Sequence, residues 1–376
     1  MNKIMRFIKI SILLFAIALT TITVTAQKET KFTIEKATAP TAQSNFFRAD
    51  NSLIQYYGRI QKTNAELPRF WSPAIYIKVK FDGDECSFFL NDQELNGTVH
   101  NYLEVVVDGK PYRFQTRFAT NKITLHQLGK GPHSLTICKD TESGNGYLEF
   151  AGIECEKLLS LPQKPSKKIE FIGNSITCGF GADTSEIGCS KGQWYDQHNA
   201  YMAYGPLTAR AFNAQWELTS VSGIGMIHSC CGMKILMPQV YDKMDLRDDS
   251  ISYDFNDYLP NLVTICLGQN DGIQDSTAFC SAYVDFVKTI RSKYANAKIL
   301  LLTSPMADAN LRAVLKNYLT SIQNYFYHNG DENIYKFFFE KQYNHGCISH
   351  PDLKEHKEIA ELLIHFIKEN KLLSNS

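Results

Sequence analysis

Ile169-Glu170-Phe171-Ile172-Gly173-Asn174-Ser175-Ile176-Thr177 stands near the middle of the 376-residue chain. A short apolar run ending in a small, glycine-marked turn predicts a buried parallel strand that delivers a residue to the carboxyl edge of a sheet. Open α/β sheets place their sites at that edge, between a strand end and a helix N-terminus whose N–H groups lack partners. Ser175 is therefore a candidate nucleophile, and its own N–H a candidate donor to an oxyanion. Alone the motif is ambiguous, because a serine after a strand is commonly a helix N-cap.

The sequence beyond it resolves the ambiguity. Further strands are expected at Trp216–Val221, Leu262–Leu267, Lys298–Thr303 and Ile334–Phe339, with helices over about 200–212, 278–294, 309–327 and 352–371. Alternation of strand and helix predicts a parallel sheet with helices on both faces, a three-layer α/β/α arrangement. Polar or glycine-bearing segments fall at successive strand ends. Ser220-Val221-Ser222-Gly223 closes the second strand, Gly268-Gln269-Asn270-Asp271 follows the third, and His350-Pro351 lies after the fifth, just before the last helix. Acyl transfer needs a nucleophile, a base in hydrogen-bond reach and preorganised oxyanion donors. Ser175, His350 and the trio of Ser175 N–H, Gly223 N–H and Asn270 side-chain amide would fill those roles. Each residue singly has a plainer reading as a turn or loop residue, but together, in this order and on one sheet edge, they point to a hydrolase.

These blocks resemble those of SGNH (GDSL-type) hydrolases, with Gly-Asn-Ser in place of Gly-Asp-Ser. With a β-rich domain in front, the chain resembles carbohydrate esterase family two. The resemblance implies Ser175 as nucleophile, His350 as base, and Gly223 and Asn270 as oxyanion donors. It also implies deacetylation of plant-wall polysaccharides or their fragments, without a cofactor. The acid expected three residues before the histidine is Cys347, and the position two before is Ile348. An unperturbed thiol, with a pKa of roughly 8.5, is mostly neutral at pH 7 and supports an imidazolium poorly. A backbone carbonyl orienting His350 in a Ser–His dyad is therefore expected, and Asp271 is not assigned to a triad. The position before the histidine, an aromatic sugar platform in some members, is Ser349. Trp194 and Tyr195, in the loop 179–199, are candidates for stacking on a sugar ring. Two other readings stand beside this one: a carbohydrate-binding protein with an inactive hydrolase fold, and an esterase acting on another O-acetylated substrate.

Upstream, residues 30–157 carry short β-branched and aromatic segments punctuated by Asp82-Gly83, Asn96-Gly97, Asp108-Gly109 and Gly129-Lys130-Gly131. This texture predicts a β-sandwich or jelly roll. Residues 158–168, polar and bearing Pro162 and Pro165, are the expected linker to a hydrolase domain over 169–376. At the start, Lys3, Arg6 and Lys9 precede an apolar run over 10–19 and a small-residue exit at Val24-Thr25-Ala26. That pattern predicts a secretory signal over 1–26, hence a secreted or periplasmic protein without stable membrane insertion.

Lys and Arg balance Asp and Glu at 39 each, which gives no reason to expect nucleic acid as a partner. Export permits disulfides among the ten cysteines, with Cys178 and Cys189 a possible pair and buried thiols the alternative. Cys230-Cys231 lack a second pair at zinc spacing, so no metal site is assigned. The oligomeric state is not indicated.

Overall fold

The computed structural model describes residues 30–37, 45–247 and 250–373. The signal segment expected over 1–26 lies outside the described residues.

The N-terminal domain is antiparallel throughout. Its strands are β1 Lys31–Lys36, β2 Phe46–Arg48, β3 Gln55–Tyr57, β4 Arg69–Phe70, β5 Tyr76–Asp92, β6 Tyr102–Val107, β7 Lys110–Gln115, β8 Thr120–His126, β9 Pro132–Lys139 and β10 Leu148–Leu159. Asp82-Gly83, expected as a turn, instead lies inside the 17-residue β5. Gly83 sits at φ 123, and the register with β10 shifts between Cys155 and Lys157. The glycine thus bends the strand at a bulge rather than reversing it. The bend lets β5 change partners, pairing β9 over Tyr76–Asp82 and β8 over Cys86–Asn91. Asp108-Gly109 does close the β6–β7 hairpin. Alternating inward residues, among them Phe81, Phe88, Val105, Ile123, Phe150 and Ile153, are fully buried in one apolar core.

The C-terminal domain carries five parallel strands, β11 Lys168–Gly173, β12 Gln215–Ser220, β13 Leu262–Cys266, β14 Lys298–Leu302 and β15 Ile334–Phe337. They lie in the order β12-β11-β13-β14-β15. The helices are α1 Ser175–Cys178, α2 Tyr204–Ala211, α3 Met237–Val240, α4 Ser276–Lys293, α5 Ala309–His328 and α6 Leu353–Glu369. Side chains alternate across a strand. Ile172, Ile265, Ile299 and Leu301 therefore join α4 and α5 in one core, while Ile169, Phe171, Leu300 and Leu302 join α2 and α6 in another. Burial on both faces explains why these strands are almost continuously apolar.

The two domains are docked through buried contacts. Tyr57, Tyr76 and Trp216 form a stacked column with ring centroids 4.3 and 3.8 Å apart, and Trp216 Nε1 donates to Ala74 O at 3.0 Å. Arg59, from the segment after β3, is fully buried against the parallel sheet. Its Nε donates to Glu217 at 2.8 Å, its Nη2 to Glu170 at 3.3 Å, and its Nη1 to the carbonyls of Tyr241 and Lys243. Removing one partner from such a buried group costs about 3–5 kcal/mol, because the remaining charge is left uncompensated.

Candidate active site

The parallel register brings three segments to one level. Gly173 of β11 pairs with Ser220 of β12 on one side and Cys266 of β13 on the other. Ser175, Gly223 and Asn270 lie two, three and four residues beyond that line, so they converge at the carboxyl edge. Ser175 opens α1, where the Asn174 side chain accepts from Ile176 N–H and so caps the turn.

His350 arrives from the far edge of the sheet, through the long segment after β15. Two hydrogen bonds bring that segment back across the strand ends, and a third folds it on itself. Cys347 N–H donates to Gly181 O at 2.9 Å, Gly346 N–H donates to His350 O at 2.7 Å, and Leu353 N–H donates to Ala182 O at 3.1 Å. A further link is covalent, a disulfide between Cys189 and Cys347. Immediately after the histidine, Asp352 and Glu355 form a reciprocal capping box that fixes where α6 begins.

The outcome is a hydrogen bond of 2.8 Å between Ser175 Oγ and His350 Nε2. His350 Nδ1 faces two carbonyls instead of a carboxylate, Ile348 O at 2.9 Å and Cys347 O at 3.2 Å. Those acceptors require the proton on Nδ1, which leaves Nε2 free to accept from the serine hydroxyl. Ile348 and Ser349 reach this geometry at φ 52 and φ 54, a left-handed backbone costly for residues with a Cβ. Burial pushes His350 down to about 4, against the upward pull of the Ile348 and Cys347 carbonyls. The imidazole is thus neutral at neutral pH, as a general base must be.

Around the pair lies a pocket of about 650 Å³, lined among others by Gly223, Asn270, Trp194, Arg247 and Ile348. Gly223 stands at φ 86, and a Cβ there would come within 3.2 Å of Cys230 Sγ. Both the conformation and the crowding call for glycine. Asn270 Nδ2 donates to Ile224 O at 2.8 Å, which orients the amide while leaving its second hydrogen available. Asp271 is committed elsewhere, since its carboxylate accepts from the N–H groups of Met226, Ile227 and His228. It therefore organises a loop and is no triad acid. Trp194 is 42% exposed at the pocket, whereas Tyr195 is buried at 3% and packs edge-on against it at 5.5 Å. The expectation that Tyr195 offers a face to sugar is corrected on this point: it props Trp194.

The cysteines also correct the sequence reading. Cys178 does not meet Cys189. It points into the buried side of α1, 3.3 Å from Ser220 Oγ, while Cys189 on the surface loop bridges to Cys347. Cys230 and Cys231 are joined to each other at the pocket wall, and the remaining six cysteines are free thiols.

Sequence reasoning missed Phe180, whose ring lies 4.4 Å from that of His350, and Arg247 and Ile348 at the pocket. It also missed Glu142, a residue of the N-terminal domain whose carboxylate accepts from Ser222 N–H at 2.6 Å. Nothing in the local sequence marks how far these side chains reach.

Comparison with known proteins identifies relatives of both domains. Residues 56–165 match the family model described as carbohydrate esterase 2 N-terminal, and residues 171–326 match that of the GDSL-like lipase/acylhydrolase family. The chain is 32% identical to the cellulase/esterase CelE of Acetivibrio thermocellus, over 86% of this chain and 40% of that protein. It thus spans well under half of CelE. An acetylxylan esterase / glucomannan deacetylase of Cellvibrio japonicus is 26% identical, over 80% of this chain and 85% of that one. Two structures of a family two carbohydrate esterase from Clostridium thermocellum, one in complex with cellohexaose and one an active-site mutant, are 29% and 30% identical. Each superposes with a TM-score of 0.78, covering 85% of this chain and 99% of the other.

Proposed function

Because the chain belongs to carbohydrate esterase family two, we propose that it removes acetyl groups from plant-wall polysaccharides or their oligosaccharides through an acyl-serine intermediate, outside the cytoplasm. The observation that carries this reading is the 2.8 Å contact between Ser175 Oγ and His350 Nε2, in one pocket with Gly223 and Asn270. The activity named for the Cellvibrio japonicus relative supports acetylated xylan and glucomannan as the substrate class.

In this mechanism Ser175 Oγ attacks the acetyl carbonyl as its proton passes to His350 Nε2. The tetrahedral oxyanion is met by the N–H groups of Ser175 and Gly223 and by the free amide hydrogen of Asn270. Collapse expels the sugar alkoxide, which takes the proton from His350. Water then repeats the sequence on the acetyl-enzyme and releases acetate. Through both halves the Cys347 and Ile348 carbonyls hold Nδ1–H and keep the ring in one orientation. The Trp194 face, at the pocket mouth, is available to a sugar ring.

The test is acetate release across acetylated xylan, acetylated glucomannan and monosaccharide acetates, with Ser175→Ala as control. Loss of release in Ser175→Ala is expected, and full retention refutes the reading. Among the described residues no helix is long and apolar enough to cross a membrane. Export is checked by N-terminal sequencing of the mature protein, expected to begin at Gln27.

A further inference from the structure

Behind the pocket stands a carboxylate from the other domain. Between β9 and β10 the chain runs Asp140-Thr141-Glu142-Ser143-Gly144-Asn145, and Asp140, Thr141, Glu142 and Asn145 are all fully buried. The backbone is secured from within: Lys139 Nζ donates to Thr141 O at 2.6 Å and Glu142 O at 3.1 Å. Gly144 lies so close beneath the pocket wall that a Cβ there would come within 3.1 Å of the Arg247 guanidinium and 3.2 Å of the Trp194 indole.

From this tip the Glu142 side chain enters the C-terminal domain. Its Oε2 accepts from Ser222 N–H at 2.6 Å and lies 3.6 Å from Cys178 Sγ and 4.0 Å from Arg247 Nη2. Its Oε1 is 3.5 Å from His198 Nε2. Ser222 immediately precedes Gly223, and Cys178 ends the turn that Ser175 opens. One carboxylate therefore touches both segments that carry the backbone oxyanion donors. Burial alone would raise Glu142, but His198 and Arg247 outweigh it and hold the group at about 2, so it is an anion at working pH.

His350 becomes cationic when it takes the serine proton, yet its Nδ1 faces carbonyls that carry no net charge. Glu142 lies one layer behind it: His198 is 3.5 Å from Glu142 Oε1, and Phe180 packs against both the His198 and His350 rings at 4.7 and 4.4 Å. The Glu142 charge favours the His350 cation, while burial disfavours the charged form of His198 that would oppose it. We propose that Glu142 is a positioning residue of the catalytic centre, supplied by the β-domain. It fixes the Ser222–Gly223 turn and provides the negative charge that the dyad does not carry. This rests on the serine–histidine reading above and extends it to the other domain. The charged and titratable groups around Glu142 are His198, Arg247, Cys178 and Lys139. Those around His350 are His198, Glu142 and His356, with Arg113 beside His198 and Asp245 beside Lys139.

Glu142→Gln keeps the shape and an acceptor for Ser222 N–H while removing the charge. Glu142→Asp keeps the charge but draws the oxygen back from Ser222. With p-nitrophenyl acetate, Gln is expected to lower kcat roughly tenfold with KM within about twofold, and to move the acid limb of kcat/KM to lower pH. Asp is expected to lower kcat by a similar factor while leaving that limb in place. An NMR titration of His350 in Ser175→Ala, with and without Glu142→Gln, should show the same downward shift. A folded Gln variant with wild-type kcat and an unmoved limb overturns the proposal. If Gln does not fold, a folded Asp variant with wild-type kcat overturns it. Hydrolysis retained by Ser175→Ala would instead remove the serine reading itself, whatever the Glu142 variants do.

Discussion

Opening the Cys189–Cys347 bridge should damage catalysis and stability by separable routes. The bridge closes a loop of 158 residues, and in the chain-entropy picture a loop of that length restrains the unfolded state by about 5 kcal/mol. Removal of native bridges typically costs about 2–5 kcal/mol, or roughly 4–20 °C in melting temperature for a unit of 150–250 residues. The catalytic effect is local. Ile348 and Ser349 hold left-handed backbone at φ 52 and φ 54, each at a cost of about 1–2 kcal/mol. The hydrogen bond from His350 Nδ1 to Ile348 O is worth about 0.5–1.5 kcal/mol net, less than relaxation of the two residues would release. The covalent link next to them tips that balance. Without it the turn should relax, the carbonyls should leave Nδ1, and kcat should fall roughly tenfold, about 1.4 kcal/mol in barrier. The assay is kcat for p-nitrophenyl acetate on Cys189→Ser and Cys347→Ser at 25 °C, with thiol titration and a thermal melt alongside. A folded variant with lower melting temperature but wild-type kcat would refute the reasoning, because it would mean the turn is held by its own hydrogen bonds.

Burial places His350 at about 4 rather than 6.5, and the base works in its neutral form. The kcat/KM profile should therefore stay flat from about pH 8 to 5 and fall only as pH drops through about 4; an acid limb centred near 6.5 contradicts this. Asn270→Ala should lower kcat by on the order of a hundred- to a thousandfold with little change in fold, as judged by circular dichroism. Trp194→Ala should raise KM for acetylated polysaccharide roughly two- to tenfold, the worth of an aromatic contact of about 0.5–1.5 kcal/mol. It should leave p-nitrophenyl acetate hydrolysis close to wild type.

Much of this was legible because it obeys short-range rules. The five parallel strands and four longer helices follow from apolar runs and periodicity, and their order alone places Ser175, Gly223 and Asn270 at one edge. The missing acid was legible too, since Cys347 and Ile348 offer no carboxylate. What replaces it was only partly so. A backbone carbonyl could be expected, but two consecutive left-handed residues, one of them β-branched, run against local preference and are held by tertiary contacts. Long-range pairings had no sequence signal. Cys347 finds its partner 158 residues away, and Glu142 reaches a turn 80 residues further on. The bend at Gly83 was misread because a glycine marks both reversals and bulges, and only the neighbouring strand decides which.

Arg59 gives the segment between the halves a particular meaning. The C-terminal half made without the residues before 160–167 would leave Glu170 and Glu217 side by side in a dry sheet with no Arg59 between them, and Trp216 stripped of its column. The catalytic half alone should therefore melt well below the whole protein, and its engineering should carry the β-domain along.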